Sequence, residues 1–412
     1  MPGVAVDVCV IGGGPAGLMA GLLLARFGLD VTVLEKHADF LRDFRGDTVH
    51  PSTLQAMDEL GLINQFLDLP HAKAETLPIA TDSGQLLFAD FRALPGKYRY
   101  LAFMPQWDVL NFIASAARRY PGFQLLQQVQ ATELIHDGEG VVGVRANGPD
   151  GVLQIRATLV IAADGRRSLV RTTGSLDLAA STAPMDVLWF RVSREAADVI
   201  PAVRSGKGYF IVCLNREHYW QVAYMIPKGG YDQTRRDGID ALRAAIARIY
   251  PVFAGRLAEE LRDWSSFHLL DVRVDRLRHW YRPGLLAIGD AAHAMSPAGG
   301  VGINLAVQDA IAAARLLGPV LAAGATPSIA QLARVQRRRE YPVRIVQWAQ
   351  LHLLADLYPT AGRPPAERPL LIRLIRAFPV LPRLIARVIG QGLRPESVPP
   401  PLVGAQSESM EA

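Results

Sequence analysis

Three stretches of the chain alternate short apolar runs with segments of helical spacing, and between them the texture changes. Residues 6–11 form an apolar run of strand length, 18–27 have the density of a buried helix that stops at Gly28, and 30–34 form a second strand. This strand-and-helix alternation marks residues 6–60. It returns over 99–171, with a helix over 107–119 and a strand over 157–163, and again over 285–321. Residues 185–192, 208–214 and 218–226 instead run apolar and aromatic at strand length between turn-like residues, the pattern of an antiparallel sheet. Beyond Gly324 the spacing is helical as far as Arg394, interrupted by the proline-rich stretch 358–369. No internal repeat is evident.

This pattern predicts an α/β protein: a Rossmann-like dinucleotide-binding domain, an inserted, mostly antiparallel β-sheet domain and a helical C-terminal region. The dinucleotide-binding domain is expected to be discontinuous, built from 1–75, 99–180 and 270–345. The inserted sheet takes 76–98 and 181–269, the C-terminal helices 346–394. Residues 395–412, with Pro399-Pro400-Pro401 and Ser, Glu and Gly, have the composition of a disordered tail.

The chemistry begins at the first strand-to-helix turn. Gly12-Gly13-Gly14-Pro15-Ala16-Gly17 joins strand to helix. There Gly12 permits the turn, Gly14 lets a pyrophosphate approach the backbone, and Gly17 lets helix and strand pack closely. The phosphates would meet the positive end of the helix. Glu35, followed by Lys36, lies about 20 residues further on, where a carboxylate accepts from a ribose 2′-hydroxyl and repels a 2′-phosphate. A second glycine-rich segment, Gly289-Asp290 leading into Gly299-Gly300-Val301-Gly302-Ile303-Asn304, lies late in the chain. The pair points to FAD.

Bulk composition narrows the picture. The 412 residues suffice for two or three domains, and half are hydrophobic. A net charge of +5, from 44 basic and 39 acidic residues, comes without a long basic run, so nucleic acid is not an expected partner. Cys9 and Cys213 offer neither a disulfide framework nor a metal site, and no metal is expected; a reducing cytoplasm is the expected compartment. Residues 8–25 carry no charge, yet the glycine turn breaks them into strand and helix rather than a membrane span.

With these motifs the chain resembles the class A flavoprotein monooxygenases, the family of para-hydroxybenzoate hydroxylase and the ubiquinone-biosynthesis hydroxylases. The resemblance covers about residues 5 to 345. The family's middle fingerprint reads here Leu159-Val160-Ile161-Ala162-Ala163-Asp164-Gly165-Arg166-Arg167-Ser168-Leu169-Val170-Arg171, and the resemblance places Asp164 where FAD and a transient nicotinamide cofactor meet. The third fingerprint is Leu285-Leu286-Ala287-Ile288-Gly289-Asp290-Ala291-Ala292-His293-Ala294-Met295-Ser296-Pro297. Asp290 suits the ribityl hydroxyls. Pro297, Gly300, Gly302, Ile303 and Asn304 are further candidate cofactor residues: residues 299–302 bring backbone amides close to the ring, and the helix over 304–317 points its positive end there, where reduction places negative charge. His293 reads as a packing or hydrogen-bonding residue rather than a base. Arg45 and Gln106 correspond to further FAD contacts.

For the substrate, the strand after Glu217 resembles the one that crosses the flavin in the hydroxybenzoate enzyme. His218 stands near its start where an arginine is expected, and Trp220 and Tyr224 are candidate pocket residues. Aromatic residues at alternate positions fit a core as well as a pocket. No catalytic acid or base is identifiable.

The resemblance implies hydroxylation of an aromatic or conjugated small molecule by O2 and NAD(P)H through a flavin C4a-hydroperoxide. The absence of a second G-x-G-x-x-G after a strand fits NAD(P)H as a transient cosubstrate. Alternatives are a flavin-dependent reductase or dehydrogenase acting on a lipid or isoprenoid, and a non-enzymatic flavin-binding scaffold. A halogenase is disfavoured, because Val222 and Tyr224 stand where its two tryptophans belong. A monomer or homodimer is expected. The stretch 367–396 carries Arg368, Arg373, Arg376, Arg383, Arg387 and Arg394 among apolar residues. It reads as capping helices, and a membrane-surface role is the less favoured alternative.

Overall fold

The computed structural model describes residues 4–41, 48–179, 183–353, 357 and 370–401. Its larger sheet has eight strands. The central ones run in the order Leu285–Ala287, Gly151–Ala162, Val4–Ile11, Val31–Glu35 and Phe123–Gln127, all parallel. The strand Gly140–Gly148 pairs antiparallel with Gly151–Ala162 and with Gln130–Asp137.

Parallel strands covered on both faces read as unbroken apolar runs. Val8, Cys9 and Val10 are fully buried. The helix Pro15–Ala25 packs on this sheet and against the long helix Gly302–Ala322. Ten of its residues, from Ala16 to Ala25, are buried, which explains an apolar surface with no polar stripe. Gly21 allows the close approach: a Cβ there would lie 2.8 Å from the Phe123 ring and 2.9 Å from a Val33 methyl. The helix Gly302–Ala322 belongs to an apolar stretch long enough to cross a membrane, but 72% of its 18-residue apolar window is buried inside the fold. It is a core helix by packing.

The second large sheet has seven strands in the order His268–Leu270, Met185–Ser193, Tyr219–Pro227, Tyr209–Asn215, Val203–Gly206, Thr76–Thr81 and Gly84–Asp90. All neighbours are antiparallel except Val203–Gly206 with Thr76–Thr81. One face packs on the helices Ile239–Ile249 and Ala254–Glu260. The other turns toward Ala298 at the end of the third fingerprint.

The C-terminal helices Leu370–Ala377 and Leu381–Gly390 cover the edge strand Gly84–Asp90 through Leu371, Ile375 and Ala386. Covering an edge strand removes a row of unpaired backbone groups from solvent. The proline-rich stretch 358–369 lies outside the described residues.

The start of the tail departs from the expectation of disorder. Glu396 is buried and forms ion pairs with Arg315 at 2.7 Å, Arg338 at 2.6 Å and Arg339 at 3.5 Å. Val398 N–H donates to Glu59, and Arg26 donates to the Pro399 carbonyl. Composition missed this anchor because a single buried carboxylate among three arginines outweighs the polar character of its neighbours. Residues 402–412 lie outside the described residues.

Candidate active site

The first turn is built by three glycines with different tasks. Gly12 has φ +104°, and a Cβ there would lie 2.6 Å from the Ala163 carbonyl oxygen. At Gly17 a Cβ would sit 1.9 Å from the Gly12 carbonyl oxygen, so only glycine closes the turn. Gly14 meets nothing within 4 Å, which leaves its backbone open to a ligand. Pro15 opens the helix, its missing N–H costing nothing in the first turn, and Ala16 follows.

Glu35 ends the second strand of this unit. Its carboxylate accepts from Gly13 N–H at 3.1 Å and His37 N–H at 2.9 Å, so the acid also braces the glycine turn. Lys36 is exposed beside it.

At the end of the neighbouring parallel strand, Asp164 accepts from Leu169 N–H at 2.8 Å. Burial pushes its carboxyl above the usual range, partly offset by that hydrogen bond and the charge of Lys36. Two residues on, Arg166 reaches across to the third fingerprint and meets Asp290 at 3.2 Å. Neither Arg166 nor this pairing is legible locally, because the partners are 124 residues apart.

The third fingerprint is braced from behind. Gly289 N–H donates to Asp309 at 3.0 Å, and a Cβ on Gly289 would lie 3.0 Å from the Ala16 Cβ, so the two fingerprints touch. His293 is buried against Asp309, a hydrogen-bonding position. Asp290 stays partly exposed at the front.

The loop from Pro297 to Gly302 follows. Gly299 and Gly300 have φ +78° and +62°, and a Cβ on Gly300 would lie 2.8 Å from Thr48 Oγ1. His50 Nε2 lies 3.3 Å from the Gly299 carbonyl oxygen. Burial pulls the His50 pKa down to about 4, so the neutral ring donates to that carbonyl. Gly302 has open space around its Cβ direction and starts the long helix, with Ile303 buried behind it.

Asn304 is not free to offer its side-chain oxygen to a cofactor. That oxygen accepts from Ser52 at 2.5 Å and from Thr53 at 3.1 Å, tying the helix Pro51–Glu59 to the long helix. Gln106 opens the helix Gln106–Ala117 after Pro105. Arg45 lies outside the described residues.

The substrate-side residues need correction. Along Tyr219–Pro227 successive side chains point to opposite faces. Trp220 and Tyr224 fall on the helix-covered face, where Trp220 Nε1 donates to Asp198 at 2.9 Å. His218 is exposed in the hairpin turn, its backbone paired with Arg194 and Arg216. The opposite face of the same strand carries Ala223 and Met225. They pack with Val187, Trp189 and Phe210 in a buried cluster that includes Ala298 as well as Leu371 and Ile375 of the C-terminal helices. This is the face of the sheet that turns toward the third fingerprint.

The arrangement fits an FAD. An open glycine turn takes a pyrophosphate, Glu35 a ribose, Asp290 a polyol chain, and the Gly299–Gly302 backbone with its helix N-terminus an electron-accepting ring. A dinucleotide fold whose first and third glycine loops touch, with an apolar sheet facing the third, defines a flavoprotein with a substrate domain.

Comparison with known proteins gives the family. The model described as FAD binding domain matches residues 5–349. Over 312 residues the chain is 33% identical to 6-methylpretetramide 4-monooxygenase of Streptomyces rimosus, covering 76% of this chain and 75% of that protein. It is 28% identical over 357 residues to the 12-dehydrotetracycline 5-monooxygenase/anhydrotetracycline 6-monooxygenase of Streptomyces rimosus subsp. rimosus, covering 81% of this chain and 66% of that protein's length. The solved structure of p-nitrophenol 4-monooxygenase from Pseudomonas putida has a TM-score of 0.73 at 22% identity, covering 94% of this chain and 97% of that one. The chain belongs to the FAD-binding-domain family of flavin-dependent monooxygenases.

Proposed function

We propose that the protein hydroxylates a fused-ring phenolic substrate, drawing electrons from NAD(P)H. The balance is one substrate C–H, one O2, one NAD(P)H and one proton giving a phenolic C–OH, water and NAD(P)+. The observation that supports the substrate class is the apolar face of Val187, Trp189, Phe210, Ala223 and Met225, buried in one cluster with Ala298 at the end of the third fingerprint. Aromatic and aliphatic walls of this kind select a flat, apolar ring system. The names of the two Streptomyces relatives support a polycyclic aromatic substrate.

Bound FAD supplies the redox and oxygen chemistry. The protein's own groups do the rest. Gly14 would hold the diphosphate at the turn that Gly12 and Gly17 close, Glu35 would hold the adenosine ribose and Asp290 the ribityl hydroxyls. The N-terminus of Gly302–Ala322 stabilises negative charge at the ring. The neutral His50 keeps the Gly299 carbonyl turned toward itself, which fixes the amides that follow. The apolar sheet excludes water and orients the substrate ring over Ala298. Asp164, beside the first turn, remains the residue proposed for the zone where the nicotinamide docks.

The test is a panel of mono- and polycyclic phenols incubated with holoenzyme, NADH or NADPH and O2. A polycyclic phenol should speed NAD(P)H oxidation and gain one oxygen atom by mass, with near-equal amounts of reductant consumed and product formed. Turnover that persists without O2 would point to the reductase reading. Stimulation only by single-ring phenols would remove the fused-ring assignment.

A further inference from the structure

Arg166 crosses between two fingerprints that are far apart in sequence. Its Nε donates to Asp290 Oδ2 at 3.2 Å and its Nη2 to the Met295 carbonyl at 3.2 Å. The two side chains retain 27% and 35% exposure, so this is a site-wall ion pair rather than a core one. The third nitrogen, Nη1, is buried and has no hydrogen-bond partner among the described residues. A buried unsatisfied donor carries a desolvation cost that an added acceptor offsets. The guanidinium brings a delocalised positive charge and a planar fork of donors to this pair.

We propose that Arg166 is a positioning residue of the flavin site, one that orients the Asp290 carboxylate toward the ribityl chain and offsets its charge against the flavin. The inference rests on the FAD assignment above. A carboxylate offers two oxygens as acceptors to the ribityl hydroxyls. An uncompensated carboxylate at that distance opposes the negative charge that reduction places on the ring. A guanidinium clamped on Asp290 removes the conflict. The carboxylate keeps its acceptor geometry while its field at the flavin is partly cancelled. The Met295 carbonyl fixes the far side of the guanidinium, so the clamp is held from two directions.

The experiment compares wild type, Arg166→Gln, Arg166→Lys and Arg166→Gln combined with Asp290→Asn. FAD affinity is read by fluorescence titration of the apoprotein, and the flavin midpoint potential by dye-coupled reductive titration of the holoprotein. Arg166→Gln should weaken FAD binding about tenfold, the loss of roughly one charge-assisted hydrogen bond. It should also make the potential more negative. Arg166→Lys, which restores the charge but not the fork, should recover most of the potential and less of the affinity. In the Asp290→Asn background Arg166→Gln should still make the potential more negative, because the two charges act additively at the ring, but it should cost less FAD affinity than in wild type, since no carboxylate remains to be oriented. An Arg166→Gln protein with wild-type affinity and potential would overturn the proposal, and so would an affinity loss that survives in full in the Asp290→Asn background. A wild-type apoprotein that takes up no FAD would sink the flavin assignment itself, and the proposal with it. Lys keeps the charge and nearly the reach of Arg whereas Gln is shorter and neutral, so a folding failure confined to Gln leaves the Lys comparison to decide: unchanged affinity in Arg166→Lys, measured beside Asp290→Asn, would also refute a fork-dependent clamp.

Discussion

The Oδ2 of Asp309 lies 2.5 Å from the Nε2 of His293 in the buried interior behind the third fingerprint. The same oxygen takes the Gly289 N–H, and Oδ1 takes Arg339 Nε at 3.0 Å. Arg339 passes the contact on to Glu396 and to the Arg394 carbonyl. A chain of charged groups therefore runs from the turn before Asp290 to the beginning of the tail. Such groups are costly to bury singly and tolerable only as a paired set.

Breaking this set is expected to be costly. Burial alone would raise the Asp309 carboxyl, but His293 and Arg339 outweigh it and hold it below the usual range. Asp309→Ala leaves the Gly289 N–H and His293 without their shared acceptor and Arg339 with Glu396 as its one remaining carboxylate among the described residues, and should destabilise the fold by about 3–5 kcal/mol. Glu396→Gln should act in the same direction and by less, since a neutral acceptor remains. Thermal unfolding of both variants checks the order. A Glu396→Gln melting temperature equal to wild type would show that the tail is not part of the network.

Asp290→Ala removes a charge-assisted acceptor for the ribityl hydroxyls. The expected loss is about 1.5–3 kcal/mol of FAD binding, or roughly 10- to 150-fold in affinity. Fluorescence titration of the apoprotein measures it. A folded variant with full affinity would take Asp290 out of the site.

His50 makes stability depend on pH. In the unfolded chain it titrates near 6.5, whereas burial holds it at about 4 in the fold. Between those values the unfolded state binds the extra proton, so stability rises with pH through that window. The contribution is complete above about pH 6.5 and is lost as pH falls toward 4, on the order of 3 kcal/mol. Denaturant unfolding from pH 7 down to pH 4 should show a steeper acid limb in wild type than in His50→Gln. Parallel limbs would mean that His50 is solvated at low pH.

The two faces of Tyr219–Pro227 predict a clean separation of effects. Ala223→Phe adds bulk to the packed face that turns toward Ala298 and should raise KM for a fused-ring substrate, with about 1–3 kcal/mol of overpacking strain, while FAD still binds. Trp220→Phe leaves Asp198 without one donor on the helix-covered face. It should cost about 1–3 kcal/mol of stability with little change in KM. Steady-state kinetics and melting curves on the two variants distinguish them. A KM effect from Trp220→Phe and none from Ala223→Phe would reverse the assignment of faces.

Local chemistry made the first site legible in the sequence. A turn that needs φ above zero at Gly12 and no side chain at Gly17 can be met by few residue types, and Glu35 must follow at a fixed distance along the next strand. The fully buried run Val8, Cys9 and Val10 likewise announces a parallel strand, since both faces are covered. Class of fold and cofactor are carried by such short-range constraints.

The substrate face had no such signal. Trp220, Gln221, Val222 and Ala223 are all buried, so no polar alternation marks which side of the strand meets the cleft, and a one-residue change of parity exchanges every side chain. Only the packing of the helices Ile239–Ile249 and Ala254–Glu260 on one face assigned Trp220 and Tyr224 to the core. The same holds for Arg166 with Asp290, His50 with Gly299 and Glu396 with its arginines. Each is a pair of ordinary residues whose meaning comes from a long-range approach. Sequence determined where the backbone must turn and what the turn can hold. Tertiary structure decided which side chains face the ligand, because burial on both sides erases the periodicity that would have told them apart.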